Sequence, residues 1–219
     1  MRAVTRPLSA YADDPVDLND IAGGDGVLFV RNAVGVAGRG VAATVPVDDA
    51  ADFLAGVVHD STVAGMGPVA LGSVPFAPGG AADLVVPRVQ FRKDASGATS
   101  VTVVGDVDDA GDIVAEALIA RDPAPAAAAS WSIEPGVAVD AYLAAVASAR
   151  DAVRAGDLTK AVIARPIIVR SSEEIDVHAV LRRLRASFGS SYRYSIDGFI
   201  GASPELLAEV DGPIVRSHP

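Results

Sequence analysis

Residues 157–166 read "DLTKAVIARP". The Val and Ile content and the short length predict a strand, continuing through "IIVR" to residue 170, with Pro166 marking a bulge or an edge position. Lys160 and Lys93 are the chain's two lysines, and arginine carries the rest of its positive charge. An ammonium group set among apolar residues is costly to desolvate unless it is paired or neutralised. Burial among Val162, Ile163 and Ala164 would favour the neutral amine, which can accept a proton. The bland alternative is a strand-end lysine that is exposed or snorkels to water.

Helical patterns flank this strand. Residues 137–156 place Val139, Leu143, Val146, Ala147 and Val153 along one stripe, with Gly156 suited to stop the helix. Residues 171–189, "SSEEIDVHAVLRRLRASFG", predict a second helix with Ser171, Ser172 or Asp176 as its cap. "SSYRYSIDG", "FIGASPELLAEVDG" and "PIVRSHP" then read as strand, strand and the start of a strand. Its abrupt end is expected to reflect a truncated chain.

Upstream, residues 24–47 predict two strands around a glycine-rich turn. "GVAGRG" (35–40) lacks the lysine and following helix of a phosphate loop, so it reads as a hairpin turn. Residues 47–61 predict an amphipathic helix capped by Asp48 or Asp49. "GPVALGSVPFAPGG" (67–80) reads as an apolar strand, and residues 84–105 as two strands around a turn at Asp94–Gly97. "DVDDAGD" (106–112) lacks the calcium-loop pattern and reads as a solvated turn. Residues 121–136 form a Pro/Ala-rich connector.

The chain has 219 residues, half of them apolar, and a net charge of -10. An acidic protein of this kind is a poor partner for nucleic acid or for an anionic membrane surface. There is no cysteine, which suits a cytoplasmic setting, and no apolar run of transmembrane length or signal-peptide pattern. His59, His178 and His218 lack ligand spacing, and the first two are expected on helix surfaces. Arg165 and Arg170 are expected to pair with acidic residues.

The carboxy-terminal third resembles the chorismate-utilising enzymes: isochorismate, salicylate, anthranilate and aminodeoxychorismate synthases. "AGDLTKAVIAR" matches that family's "G-x-L-x-K-V-V-L-A-R", with Ala161 and Ile163 in place of the commoner Val and Leu. "FIGASPELL" matches "F-x-G-x-S-P-E-x-L", "VRSHP" matches the strand carrying "S-x-P", and "ALGSVPF…LVVP" matches an upstream block. The resemblance implies an α+β fold of antiparallel sheets packed together with helices outside, residues 1–219 being the amino-terminal part of one catalytic domain. The missing half would leave apolar sheet surface and unpaired edges exposed.

A lysine at position 160 resembles the water-using branch, the isochorismate and salicylate synthases; anthranilate synthases usually carry glutamine there. The implied reaction adds water at C2 of chorismate while the C4 hydroxyl departs from the opposite face. It assigns Lys160 as base and Glu205 as acid. Apolar flanks (Leu206, Leu207, Phe199, Ile200) would help Glu205 hold its proton. Alternatively, Glu205 caps the turn after Pro204. The resemblance also implies Mg²⁺ on a substrate carboxylate, with protein ligands beyond residue 219. The expected function is isochorismate synthase, feeding menaquinone or siderophore synthesis. Salicylate synthesis, an aminating activity and a non-catalytic module on the same scaffold are the alternatives.

Overall fold

The computed structural model describes residues 1–77, 79–119 and 129–218. Two compact units emerge: Met1–Ala124 with Asp176–Pro219, and Pro125–Ile175. In chain order the strands are β1 (Arg2–Pro7), β2 (Val27–Arg31), β3 (Val34–Arg39), β4 (Ala43–Pro46), β5 (Val58–Ser61), β6 (Asp83–Val86), β7 (Val89–Lys93) and β8 (Thr99–Gly105). They continue with β9 (Trp131–Pro135), β10 (Ile167–Ser171), β11 (Tyr192–Ile196), β12 (Phe199–Ser203), β13 (Leu206–Asp211) and β14 (Ile214–His218). The α-helices are α1 (Leu18–Ala22), α2 (Ala50–Ala55), α3 (Ala110–Leu118), α4 (Val139–Ala155) and α5 (Val177–Phe188). Among the described residues, no helix is long and apolar enough to cross a membrane.

The larger unit is built on an eight-stranded sheet of order β12-β11-β2-β3-β7-β8-β1-β5. Its pairs are antiparallel except at one edge, where β5 runs parallel to β1. One face carries Leu28, Val30, Phe91, Val101 and Val103, closed over by Leu18 and Ile21 of α1, Val114 of α3 and Leu181 of α5. On the opposite face Ala3 and Val104 pack with Val45, Ala50, Val57 and Val86 from the β4–β6 ribbon and the α2 region. β8 is therefore buried on both faces, which is why "VTVV" is a continuous run of β-branched residues and not an alternating one. Of its two buried polar side chains, Ser100 and Thr102, Thr102 shares a 2.8 Å hydroxyl hydrogen bond with Thr5 of β1.

The smaller unit contains the β9–β10 antiparallel pair and α4. α4 ends as expected, at Gly156 in the left-handed conformation (φ 85°). Its apolar stripe is not a core: Val139, Leu143, Val146 and Val153 are all exposed.

The α+β class with antiparallel sheets and outer helices agrees with the sequence reading. Several elements differ from it. The β2–β3 turn is Asn32–Ala33, both at positive φ (51° and 63°), and "GVAGRG" lies mostly within β3. Gly38 is a strand residue kept small by a neighbour: a Cβ there would sit 2.5 Å from the Pro87 Cβ. The helix expected over 47–61 is confined to Ala50–Ala55, because the Val58 N–H donates to the Met1 carbonyl and starts β5. The end of the acidic stretch opens a helix, α3, in place of the expected turn. Among the described residues of 67–80, Leu71 alone pairs, bridging Val85. The structure places a strand over Ile167–Ser171, and residues 160–166 belong to no strand. Of the connector 121–136, residues 121–128 lie outside the described set, and Trp131–Pro135 form β9.

Candidate active site

Lys160 belongs to the smaller unit and Glu205 to the larger, so each is described in its own setting. Lys160 lies on the extended segment between α4 and β10 and is exposed. That segment alternates. Ala161 and Ile163 line a shallow hollow of about 490 Å³ along α4 with Tyr142, Val146 and Val153. The Arg165 guanidinium follows on the same side, 5.3 Å from the centre of the Tyr142 ring. Lys160 and Val162 take the alternate positions, and Val162 is 81% exposed. The expected burial of Lys160 among Val162, Ile163 and Ala164 is thus not what this chain shows. No described segment of the smaller unit covers Lys160 or Val162, both of which are exposed. Lys160 makes no hydrogen bond or ion pair among the described residues.

Glu205 comes after the β11–β12 hairpin, whose turn is Asp197–Gly198. Gly201 of β12 lies opposite Tyr194, and a Cβ at that position would meet the Tyr194 hydroxyl oxygen at 2.3 Å. The glycine of "FIGASPE" is therefore required by the tyrosine ring lying across it; Tyr194 also packs against Phe199 with centroids 5.1 Å apart. Two residues on, the Ser203 hydroxyl accepts the Glu205 N–H at 3.2 Å. Serine, not glutamate, thus caps the turn around Pro204, which answers the capping alternative. The Glu205 carboxylate is left exposed and without a partner among the described residues. Its expected apolar surroundings are not closed: Phe199 is 56% and Leu207 88% exposed.

Arg170 pairs with Glu134 at 3.9 Å, as expected. His178 is on a helix but buried, with Nε2 2.9 Å from Asp20 Oδ1, and His59 lies on β5 with Nε2 2.8 Å from Thr5 Oγ1. Both differ from the expected helix-surface positions: His178 because a single sequence does not show which helix face meets a neighbour, His59 because β5 replaces the end of the expected helix. The side chain of His218 lies outside the described residues. Among the described residues no group of three or more His, Cys, Asp or Glu side chains could hold a metal ion. The expected Mg²⁺ ligands lie beyond residue 219, and no chemical step is assigned to the ion.

The chorismate binding enzyme family matches residues 47–218. Two solved structures share the fold. The menaquinone-specific isochorismate synthase MenF of Escherichia coli aligns with a TM-score of 0.66 and 19% identity, over 94% of this chain and 51% of that one. A candidate 2,3-dihydroxybenzoate-specific isochorismate synthase, DhbC of Bacillus anthracis, aligns with a TM-score of 0.59 and 21% identity, over 92% of this chain and 50% of that one. No curated protein sequence matches the chain significantly. The chain thus spans about half the length of the solved structures it resembles. The family match covers most of the chain and takes in both Lys160 and Glu205. On that match, the chain belongs to the chorismate binding enzyme family.

Proposed function

We propose that this chain is part of an isochorismate synthase in which Lys160 and Glu205 act as base and acid on chorismate. The observation that carries the reading is the family match over residues 47–218, with a lysine at position 160 inside "LTKAVIAR". In the proposed reaction the Lys160 amine, acting as base, takes a proton from water as its oxygen bonds to C2. The ring double bonds shift, and the C4 hydroxyl leaves as water with the Glu205 proton. Both side chains are exposed and unpartnered among the described residues, which leaves them open to a ligand. Turnover is proposed for the whole protein, residues 1–219 together with whatever supplies the remaining half of the fold. Mg²⁺ remains a proposed cofactor with no ligand named.

The test is product analysis with chorismate, with and without Mg²⁺, on the whole protein. Isochorismate without pyruvate is expected; salicylate plus pyruvate, or an aminated product, overturns the assignment. Lys160→Ala and Glu205→Gln are each expected to lower kcat by about 10²-fold or more, the usual size of a general acid–base contribution. Their folding stability should change by no more than about 0.5 kcal/mol, as expected at exposed, unpartnered positions. A near-normal rate in Lys160→Ala rejects the base assignment.

A further inference from the structure

A second cavity, of about 270 Å³, lies wholly within the larger unit, between the loop before α1 and the ends of β2, β7 and β11. Neither Lys160 nor Glu205 lines it. Its apolar wall includes Val16, Leu18, Val30 and Ala33. Its polar wall is cationic. Arg193 is 2% exposed, on the inward-facing side of β11 where its register partner is Val30. One guanidinium nitrogen, Nη1, donates to the Asn19 side-chain oxygen at 3.2 Å. Asn19 is fixed in that orientation by its own amide group, which donates to Asp17 Oδ1 at 2.6 Å. The Arg193 Nε is buried with no acceptor among the described residues.

A buried guanidinium is normally matched by a carboxylate, because an uncompensated charge in the interior is costly. Here none serves. The acid in this cavity, Asp17, is already paired with Arg185. Lys93, at the end of β7, also lines the cavity and makes no ion pair among the described residues. Burial pushes the Arg193 guanidinium below its ordinary value, with Arg185 adding to the effect. Arg193 and Lys93 therefore line a hollow whose carboxylate, Asp17, is already taken by Arg185, which lines it as well.

We propose that this cavity binds a small, singly charged carboxylate with an apolar tail, held by the Arg193 guanidinium and the Lys93 ammonium. A carboxylate suits the planar guanidinium. A carboxylate with a hydrocarbon tail is favoured over a phosphate because the apolar wall offers no donors to a phosphate's additional oxygens. The apolar wall selects a hydrocarbon tail, and the volume limits it to a few carbons.

The test is an NMR titration of the 219-residue chain with sodium butyrate, uncharged butyramide and sodium phosphate at constant ionic strength. Butyrate is expected to shift the Arg193 Nε–H and the Asn19 and Ala33 amides saturably, with butyramide silent and phosphate at least about tenfold weaker. Arg193→Met, which keeps an apolar filler in the core, should weaken butyrate about tenfold or more. Lys93→Gln, at a partly exposed strand end, should fold normally and weaken butyrate about threefold. No saturable shift at these positions overturns the site. So does unaltered affinity in Lys93→Gln, which decides the matter even if Arg193→Met fails to fold. Phosphate binding as tightly as butyrate, or butyramide matching it, overturns the carboxylate assignment.

Discussion

His178 Nε2 lies 2.9 Å from Asp20 Oδ1, joining α5 to α1 across 158 residues of sequence. The same oxygen accepts a hydrogen bond from Arg182 Nε at 3.0 Å. His178 is buried, so its ring depends on this partner, and the contact anchors the helix that leads directly into β11. Removing the acceptor strands a buried donor or acceptor, so Asp20→Ala should cost about 1–3 kcal/mol in urea denaturation. Asp20→Asn keeps an oxygen in place and should recover much of that loss. No measurable change in Asp20→Ala would show that α5 is held without this contact, by its apolar face and the Arg185–Asp17 pair.

Gly38→Ala tests the close approach of β3 to the turn before β7. The added methyl would sit 2.5 Å from the Pro87 Cβ and 2.6 Å from its Cγ, and a proline ring has little freedom to yield. Overpacking at such a site should cost about 1–3 kcal/mol. Thermal unfolding of the variant at the wild-type midpoint would show that the strand can shift at little expense.

Ala33→Gly should act in the opposite direction. Ala33 occupies the second turn position of the β2–β3 hairpin at φ 63°. A left-handed conformation costs a non-glycine residue about 1 kcal/mol or more, and Asn-Gly is the favoured pair for a turn of this kind. Part of the gain is offset by the greater freedom of glycine in the unfolded chain, so an increase of about 0.5–1 kcal/mol is expected. A lower midpoint would mean that the Ala33 methyl contributes more to packing than its backbone costs.

Asp94 organises the β7–β8 turn. Its Oδ1 accepts from the Ser96 hydroxyl at 2.6 Å, the Ser96 N–H at 2.8 Å and the Ala98 N–H at 3.1 Å. The Ser96 hydroxyl bond, with a smaller contribution from these backbone donors, holds the carboxyl below the ordinary aspartate value. A carboxyl depressed in the folded state contributes stability that is fully present above its unfolded value and is lost as pH falls through its lower folded value. The effect therefore lies on the acid limb, below about pH 4. A carboxyl NMR titration should place the Asp94 midpoint under that of an unstructured aspartate, and Asp94→Ala should flatten the acid dependence of stability. A midpoint at or above the unstructured value would contradict the turn assignment.

Local chemistry makes much of this fold readable. Gly156 stops α4, Asp176 caps α5 by accepting the Ala179 N–H, and Asp94–Gly97 forms a turn, each because a few adjacent residues decide the outcome. Sequence and structure part where partners distant along the chain decide. "NA" carries no hairpin signal, so the turn reads as belonging to the nearby glycines, which are small because Pro87 and the β2 backbone approach them. Val58–Ser61 reads as the end of a helix until β1 is present to pair with it. His178 shows its burial only when α1 lies against α5. The candidate site is legible as motifs: the Tyr194 ring explains the glycine of "FIGASPE", and the Ser203 hydroxyl explains its serine. The Arg193 cavity gives no sequence signal, since an arginine in an alternating strand reads as solvent-facing.

The uncovered stripe of α4 has a practical consequence. Four large aliphatic side chains in contact with water are expected to promote self-adhesion of this polypeptide in concentrated solution. Excluded salts such as ammonium sulfate strengthen apolar contact, and should drive it out of solution early and reversibly, with its tertiary structure retained.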